Sequence, residues 1–203
     1  MSTLSPSLEA IKPADVLIVL GRGPEDPVRV QHALDIAQVL SKYGQMPTVY
    51  FCGGIPWDRK IDQQNEGPAL HRTAMTMLDE TPHRYRDVDR SRLKMVEGDS
   101  TIEQFVLVGE QEEADTFTTL TDDLHNRFGR VAFLGRRLFG LEQFTQLVTY
   151  PSPHHPWEEV REAGMSIATY LAFRNVRPGD WDGARQAQRN IEQRNIGAIL
   201  KAR

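Results

Sequence analysis

Short continuous apolar runs alternate along the chain with stretches in which apolar residues recur at helical spacing. The run 15–20 has no polar alternation after its first residue, which is typical of a strand that is buried on both faces. Four further runs predict strands at 48–52, 105–108, 131–134 and 147–150. Strands that alternate with helices predict an α/β fold: a Rossmann-like three-layer sandwich with a mostly parallel five-stranded sheet and helices on both faces.

Helix boundaries are predicted from the residues between these runs. Pro27 suits a first helical position and Gly44 a C-terminal cap, so the first helix is predicted between them. Later helices are predicted to begin at Pro68, at the N-cap Asp115 and after Gly135, and two C-terminal helices to occupy 157–174 and 182–200. The charged stretch 81–103 is predicted to be an irregular insertion with at most one short helical turn.

Composition narrows the class of protein. The 203 residues are 39% hydrophobic, which fits a single domain over 1–203 and excludes a chain that stays disordered. The longest apolar run, Val16–Leu20, is far shorter than the roughly 20 residues of a membrane span, and the first residues lack a secretory pattern. Cys52 is the only cysteine, which excludes an intrachain disulfide. We therefore expect a cytoplasmic protein, and the net charge of −4 favours neither nucleic acid nor membrane as a partner.

Charge is distributed unevenly along the middle of the chain. The stretch 83–94 is mainly basic, whereas 97–123 carries acidic residues and no Lys or Arg. Such runs are most often solvated surfaces, and two runs of opposite sign can face one another. The alternative is a non-catalytic interaction or regulatory module, in which both stretches recognise partners or form a homo-oligomer.

Five loops are expected at one edge of the sheet. In an open parallel sheet the ligand lies outside the carboxyl ends of the strands, near the point where strand order reverses. Four of the predicted loops begin with glycine directly after a strand: Gly21, Gly53, Gly109 and Gly135. Glycine permits positive φ and close approach of a ligand, and helix N-termini attract phosphate, pyrophosphate or carboxylate. The chain has neither the third glycine of the dinucleotide fingerprint nor a P-loop.

Side chains on these loops each have a functional and an ordinary interpretation. Four arginines either clamp an anion or cap helices at the surface: Arg22, Arg29, Arg136 and Arg137. His154 either contacts a ligand or is an ordinary loop histidine, and no metal site is expected there. Glu113 and Asp115 can hold a sugar hydroxyl, act as a general base or bind Mg²⁺ beside a phosphate, although N-capping alone explains Asp115. Cys52 is a nucleophile or, more often at such a position, a packing residue.

Several motifs occur in the order of a known family. They are an apolar strand from Asp15 to Gly21, then Arg29, Cys52-Gly53-Gly54, Glu66, and an acidic motif at 112–116 or at 97–101. Over residues 13–150 the chain resembles the YdcF-like family, a domain of unknown function shared with the SanA and ElyC proteins. Cys52 stands where the family has Ser, and Arg136-Arg137 where it has a histidine.

The resemblance implies a Rossmann-like fold with its site at the strand ends, membership of the soluble branch, and S-adenosylmethionine as a candidate ligand. It adds Glu66 and Thr116 to the ligand-binding residues. We therefore expect a protein that binds a nucleotide-like or phosphorylated small molecule and, if it is an enzyme, a transferase or hydrolase. In that mechanism Arg136 neutralises developing charge, and Glu113 or Asp115 is the general base or a Mg²⁺ ligand. Four glycines would shape the cradle: Gly21, Gly23, Gly53 and Gly54.

Overall fold

A computed structural model describes residues 11–21, 27–53, 66–151 and 154–193. In these ranges five strands alternate with helices, and two further helices follow the last strand. The strands are β1 (Val16–Leu20), β2 (Thr48–Cys52), β3 (Leu93–Val96), β4 (Phe117–Asp122) and β5 (Phe144–Tyr150). The helices are α1 (Pro27–Lys42), α2 (Glu66–Glu80), α3 (Thr101–Gln111), α4 (Arg130–Phe139), α5 (Pro156–Phe173) and α6 (Trp181–Gln193).

All five strands belong to one sheet, in which every neighbouring pair is parallel. Their order is β3-β2-β1-β4-β5, so β1 is central and β3 and β5 are the edge strands. The central position explains the unbroken apolar sequence of β1, because every one of its residues is buried. The predicted α/β fold of the Rossmann-like type is confirmed.

Alternate residues of β1 face two separate hydrophobic layers. Val16, Ile18 and Leu20 pack with α3, α4, α5 and α6, whereas Leu17 and Val19 pack with α1 and α2. This alternation follows from the two-residue period of side chains along a strand. The helices therefore cover both faces of the sheet, as a three-layer sandwich requires.

The middle of the chain differs from the sequence-based prediction in three elements. The predicted strand 105–108 lies inside α3, and the predicted strand 131–134 lies inside α4. The helix predicted to begin at Asp115 is instead the strand β4. Taken alone, the short apolar run Phe105–Val108 resembles a buried strand. It belongs to a helix whose N-cap is Ser100, and the Ser100 hydroxyl accepts a hydrogen bond from the Glu103 N–H.

The stretch 81–103 is not an irregular insertion. It contains a 3₁₀ turn at Arg90–Arg92, the edge strand β3, and the first residues of α3. Lys94 and Met95 in the middle of β3 are exposed, so the strand lacks the apolar run that marks the buried strands. An edge strand has neighbours on one side alone, which is why its sequence tolerates these residues.

The two C-terminal helices predicted from the sequence are confirmed within the described residues, which end at Gln193. Helix α5 packs against α4 and α6, and α6 also packs against α3. None of the helices in the described ranges combines the length and the apolar character needed to cross a bilayer.

Candidate functional site

The candidate site lies at the carboxyl edge of the sheet, where β1 and β4 end side by side. Successive strands are added to one side of β1 up to β3, and the chain then crosses to the other side to form β4. The order therefore reverses between β1 and β4, and in open α/β sheets this reversal marks the ligand crevice. Gly21 follows the end of β1, and Asp122 is the last residue of β4.

Glu66 begins α2 and sits against the ends of β1 and β2. A Cβ atom on Gly21 would collide with the Glu66 carboxylate, and one on Gly53 would collide with the Glu66 Cβ. Both glycines are needed because the first turn of α2 packs directly on the strand ends. Positive φ, which we predicted as their purpose, is not found at either one.

The Glu66 carboxyl is buried, with a residue exposure of 7%. Burial raises the pKa of this carboxyl from 4.5 to about 7, and the nearby positive charge of Arg29 opposes the shift in part. A carboxyl group in this range is present in both protonation states near neutral pH. It can therefore accept or donate a proton without an external change of pH.

Arg29 in the first turn of α1 connects three strand ends. Its Nη1 donates to the carbonyl oxygen of Leu20 at 2.5 Å, its Nε donates to the Tyr150 hydroxyl, and its Nη2 lies 3.5 Å from Asp122 Oδ2. The side chains of Arg29 and Asp122 are 2% and 0% exposed. The guanidinium thus joins the carboxyl ends of β1, β4 and β5.

Asp122 also organises the turn after β4. Its Oδ1 accepts a hydrogen bond of 2.9 Å from the His125 N–H. The His125 ring lies between the hydroxyls of Thr121 and Thr101, each 3.2 Å from a ring nitrogen. Thr101 is the first residue of α3, so this contact ties the start of α3 to the end of β4.

A second polar cluster continues from β4 towards α5. Arg130 donates two hydrogen bonds to the Glu162 carboxylate, at 2.6 and 3.1 Å, and both side chains are largely buried. Burial raises the pKa of Glu162, and the adjacent Arg130 lowers it in part. Nearer the surface, Glu159 lies 2.8 Å from His154 Nε2 and 3.0 Å from Arg127 Nη1.

The structure places five of the predicted site residues at one edge of the sheet. They all lie at the carboxyl edge: Gly21, Arg29, Gly53, Glu66 and His154. Three others, Arg22, Gly23 and Gly54, lie outside the described residues.

Three predicted residues lie at the opposite edge, because 112–116 precedes β4 instead of following a strand. Glu113 and Asp115 are exposed there. Thr116 exchanges hydrogen bonds with Asp15 just before β1: its N–H and its hydroxyl donate to the Asp15 carboxylate at 3.0 and 2.7 Å. Their prediction as base and ligand-binding residues of the crevice is wrong, and so is the Mg²⁺ site based on them.

The arginine pair was also misplaced. Arg136 and Arg137 lie in the last turn of α4, which runs away from the carboxyl edge. Arg136 is exposed, whereas Arg137 donates to the carbonyl oxygens of Phe173 and Arg174 and thereby caps α5. Neither residue can neutralise charge at the crevice.

Sequence reasoning missed Asp122, Tyr150 and the Arg130–Glu162 pair. A usable signal was present for the first of these, because Asp122 is the first acidic residue after a five-residue run of Thr, Phe and Leu. Threonine is a good strand former, so this run favours a strand that ends in a carboxylate. Nothing local marks Tyr150 or Glu162, whose roles depend on contacts with distant residues.

Cys52 lies at the end of β2, in the buried interior of the sheet. The Cys52 thiol is buried, and burial raises its pKa well above the usual range, so it is a packing residue. Within the described ranges no three His, Cys, Asp or Glu side chains are grouped as metal ligands would be. Among the described residues at this edge, Glu66 is the buried carboxyl whose pKa lies near neutral pH.

Comparisons with protein-family models, with curated proteins and with solved structures found no match to this chain.

Proposed function

We propose that the protein binds a nucleotide-like or phosphorylated small molecule in the crevice between the ends of β1 and β4, with S-adenosylmethionine as one candidate. The observation that carries the proposal is Glu66, a buried carboxyl with a pKa of about 7 that packs against the end of β1, the strand beside which the strand order reverses. Burying an ionisable group in this way lowers stability, and such groups are concentrated at functional sites.

The surroundings of Glu66 support an anionic ligand. Helices α1 and α2 both begin at the carboxyl edge, so the positive ends of their dipoles face it. Phosphate groups are stabilised by such helix ends, and a carboxylate beside them can accept hydrogen bonds from ribose hydroxyls or an amine. Arg29 acts as a positioning residue, since its donors are already engaged with Leu20, Tyr150 and Asp122.

If the bound molecule is also transformed, we propose transfer or hydrolysis at a phosphate- or nucleotide-bearing substrate. Glu66 would be the general acid or base, because a pKa near the working pH favours proton transfer in both directions. This assignment replaces Glu113 and Asp115, which lie at the other edge of the sheet.

Thermal-shift titrations with nucleotides, sugar nucleotides and S-adenosylmethionine test the binding proposal. A ligand at 100 times its Kd adds about 2.7 kcal/mol to the free energy of unfolding, which is easily measured. We expect at least one of these compounds to stabilise the wild type and to stabilise Glu66→Gln less. Glu113→Gln is the matched control and should respond like the wild type. The proposal fails if no compound shifts the transition, or if Glu66→Gln and Glu113→Gln respond equally.

Membership of the YdcF-like family and a cytoplasmic location stay predictions from the sequence. The resemblance implies a site at the strand ends, which is the edge that carries Glu66, Arg29 and Gly53. Identification of the ligand would test the family assignment more directly than the fold, because many unrelated proteins share this fold.

A further inference from the structure

Helix α5 exposes a row of large apolar side chains. Trp157, Val160, Ile167 and Leu171 are 44%, 58%, 62% and 59% exposed. They are spaced by three, seven and four residues, and Gly164 occupies the position between Val160 and Ile167 that completes the row. This alternation of three and four is the seam pattern of paired helices. We call these five residues the α5 stripe.

The opposite side of α5 holds the helix on the molecule. Glu162, Ser166, Thr169 and Phe173 are buried against the rest of the protein. The side of α5 that packs on the protein is therefore a different side from the α5 stripe, which faces solvent. Beside the stripe, Phe128 and Tyr170 are 40% and 37% exposed, and they widen the apolar surface.

We propose that two copies of this protein pair through the α5 stripe, with the two helices antiparallel about a two-fold axis. A two-fold interface requires a surface that is complementary to itself. When two copies of α5 are centred between Gly164 and Ile167, Val160 of each copy lies opposite Leu171 of the other. Gly164 then lies opposite Ile167, so the smallest stripe residue faces a large one and the backbones can approach closely.

The ends of the stripe are complementary in the same register. Trp157 at the start of α5 lies opposite Arg174, which directly follows the helix in the second copy. A guanidinium over an indole ring is a favourable cation–π arrangement. Glu158 and Glu159 in the first turn of α5 are engaged within the chain, with the His155 N–H and with His154 and Arg127, so the antiparallel register rests on the stripe and on the Trp157–Arg174 contact. Parallel pairing would instead place Arg174 of one copy beside Arg174 of the other.

The pairing surface is separate from the proposed ligand crevice, so each proposal can fail without the other. Sedimentation velocity of the full chain over about 1–200 µM measures the association. We expect a concentration-dependent dimer, and we expect Ile167→Glu to weaken the dimer by about 100-fold or more, since each dimer contains the change twice. Leu141→Glu is the control, because Leu141 is 78% exposed but lies outside α5.

Circular dichroism and a thermal melt establish that Ile167→Glu is folded, as expected for a change at an exposed position. A wild type that remains monomeric at the highest concentration overturns the proposal. So does a dimer that survives Ile167→Glu, or one that Leu141→Glu weakens equally. If another segment of the same chain covered the α5 stripe, the wild type would remain monomeric at the highest concentration, because a contact within one chain does not depend on concentration.

Disulfide cross-linking tests the antiparallel register. Residues 160 and 171 are about 16 Å apart along one helix, too far for a disulfide within one copy. Mild oxidation of Val160→Cys/Leu171→Cys should therefore give a covalent dimer, while Val160→Cys alone should not. Cross-linking of the single variant would indicate a parallel arrangement and would overturn the register, and an uncrosslinked double variant would do the same.

Discussion

At the scale of single residues, burial of the Glu66 carboxyl sets a pH dependence of stability. Its pKa is about 7 in the folded protein and 4.5 ordinarily, so the folded state binds this proton more tightly than the unfolded state. The resulting stabilisation is complete below pH 4.5 and is lost as the pH rises through 7, with a total of about 3 kcal/mol.

The first prediction is that Glu66→Gln removes this dependence. Between pH 5 and 8 the free energy of unfolding of the wild type should fall relative to that of the variant, because only the wild type ionises a buried group there. Urea unfolding at several pH values measures both curves. Glu113→Gln, at an exposed position, should follow the wild type. Parallel curves for the wild type and Glu66→Gln would contradict the raised pKa.

The second prediction concerns the charge that Arg29 balances. Arg29→Met leaves the Asp122 carboxylate buried beside an apolar side chain, and loss of one partner of such a pair costs about 3–5 kcal/mol. Urea denaturation measures the loss. Arg136→Met at the exposed end of α4 should change stability by less than about 0.5 kcal/mol.

A double variant separates loss of the ion pair from a general packing defect. In Arg29→Met/Asp122→Leu neither charge remains, so part of the lost stability should return. If the double variant is as unstable as the sum of both single changes, the Arg29–Asp122 contact is not what Arg29 contributes.

At the scale of elements, close packing of α2 on the strand ends depends on Gly53. The third prediction is that Gly53→Ala costs about 1–3 kcal/mol, because the new Cβ would collide with Glu66 Cβ and lie 2.8 Å from the Gly67 nitrogen. Gly44→Ala meets no atom within 4 Å, and its cost of about 1–2 kcal/mol comes from its left-handed φ of +80° alone.

Nuclear magnetic resonance titration of the Glu66 carboxyl distinguishes these two glycine variants. Gly53→Ala should move the Glu66 pKa, because the start of α2 must shift, whereas Gly44→Ala should leave it unchanged. Equal titration curves in both variants would show that Gly53 does not position Glu66.

The first half of the chain could be predicted from its sequence, and much of the second half could not. β1, α1 and β2 are bounded by proline and glycine and have one clear periodicity each, so prediction and structure agree. In α3 and α4, short β-branched and aromatic runs resemble buried strands, although their length and their caps belong to helices.

The glycines of these two helices added to the error. In the sequence Gly109 and Gly135 resemble turn residues after strands, but a Cβ on Gly109 would collide with Trp181 and one on Gly135 with Phe144. Both glycines let a helix approach an aromatic ring of another element. Contacts of this kind are tertiary, so no local pattern reveals them. Because the predicted strands 105–108 and 131–134 are wrong, the site residues predicted at their ends are wrong as well.

At the scale of the whole molecule, many charges of the two oppositely charged stretches pair within the chain. Lys94 lies 2.6 Å from Glu112, which joins the basic stretch to the acidic one. Other basic side chains reach α1 and α2, in the pairs Arg84–Asp35 and Arg90–Asp79. These contacts favour the interpretation of both stretches as solvated surfaces over a module that recognises partners by charge.

The fourth prediction concerns the salt dependence of dimer formation. The α5 stripe is mainly apolar, so a rise in NaCl from about 0.1 to 1 M should change the dimer Kd by less than about threefold, although the Debye length falls from about 10 to 3 Å. Sedimentation at both salt concentrations measures this. Dissociation in high salt would instead favour the charged stretches as the interaction surface.

The central position of β1 has a consequence for synthesis of the chain. One neighbour, β2, follows β1 closely, but β4, its other neighbour, emerges about 100 residues later. At 5–20 residues per second, a nascent chain carries β1 for roughly 5–20 s with one row of N–H and C=O groups unsatisfied. Ribosome-bound chains halted before Phe117 should therefore recruit chaperones or aggregate. Chains that are long enough to include β4 and the helices after it should bind chaperones less and aggregate less.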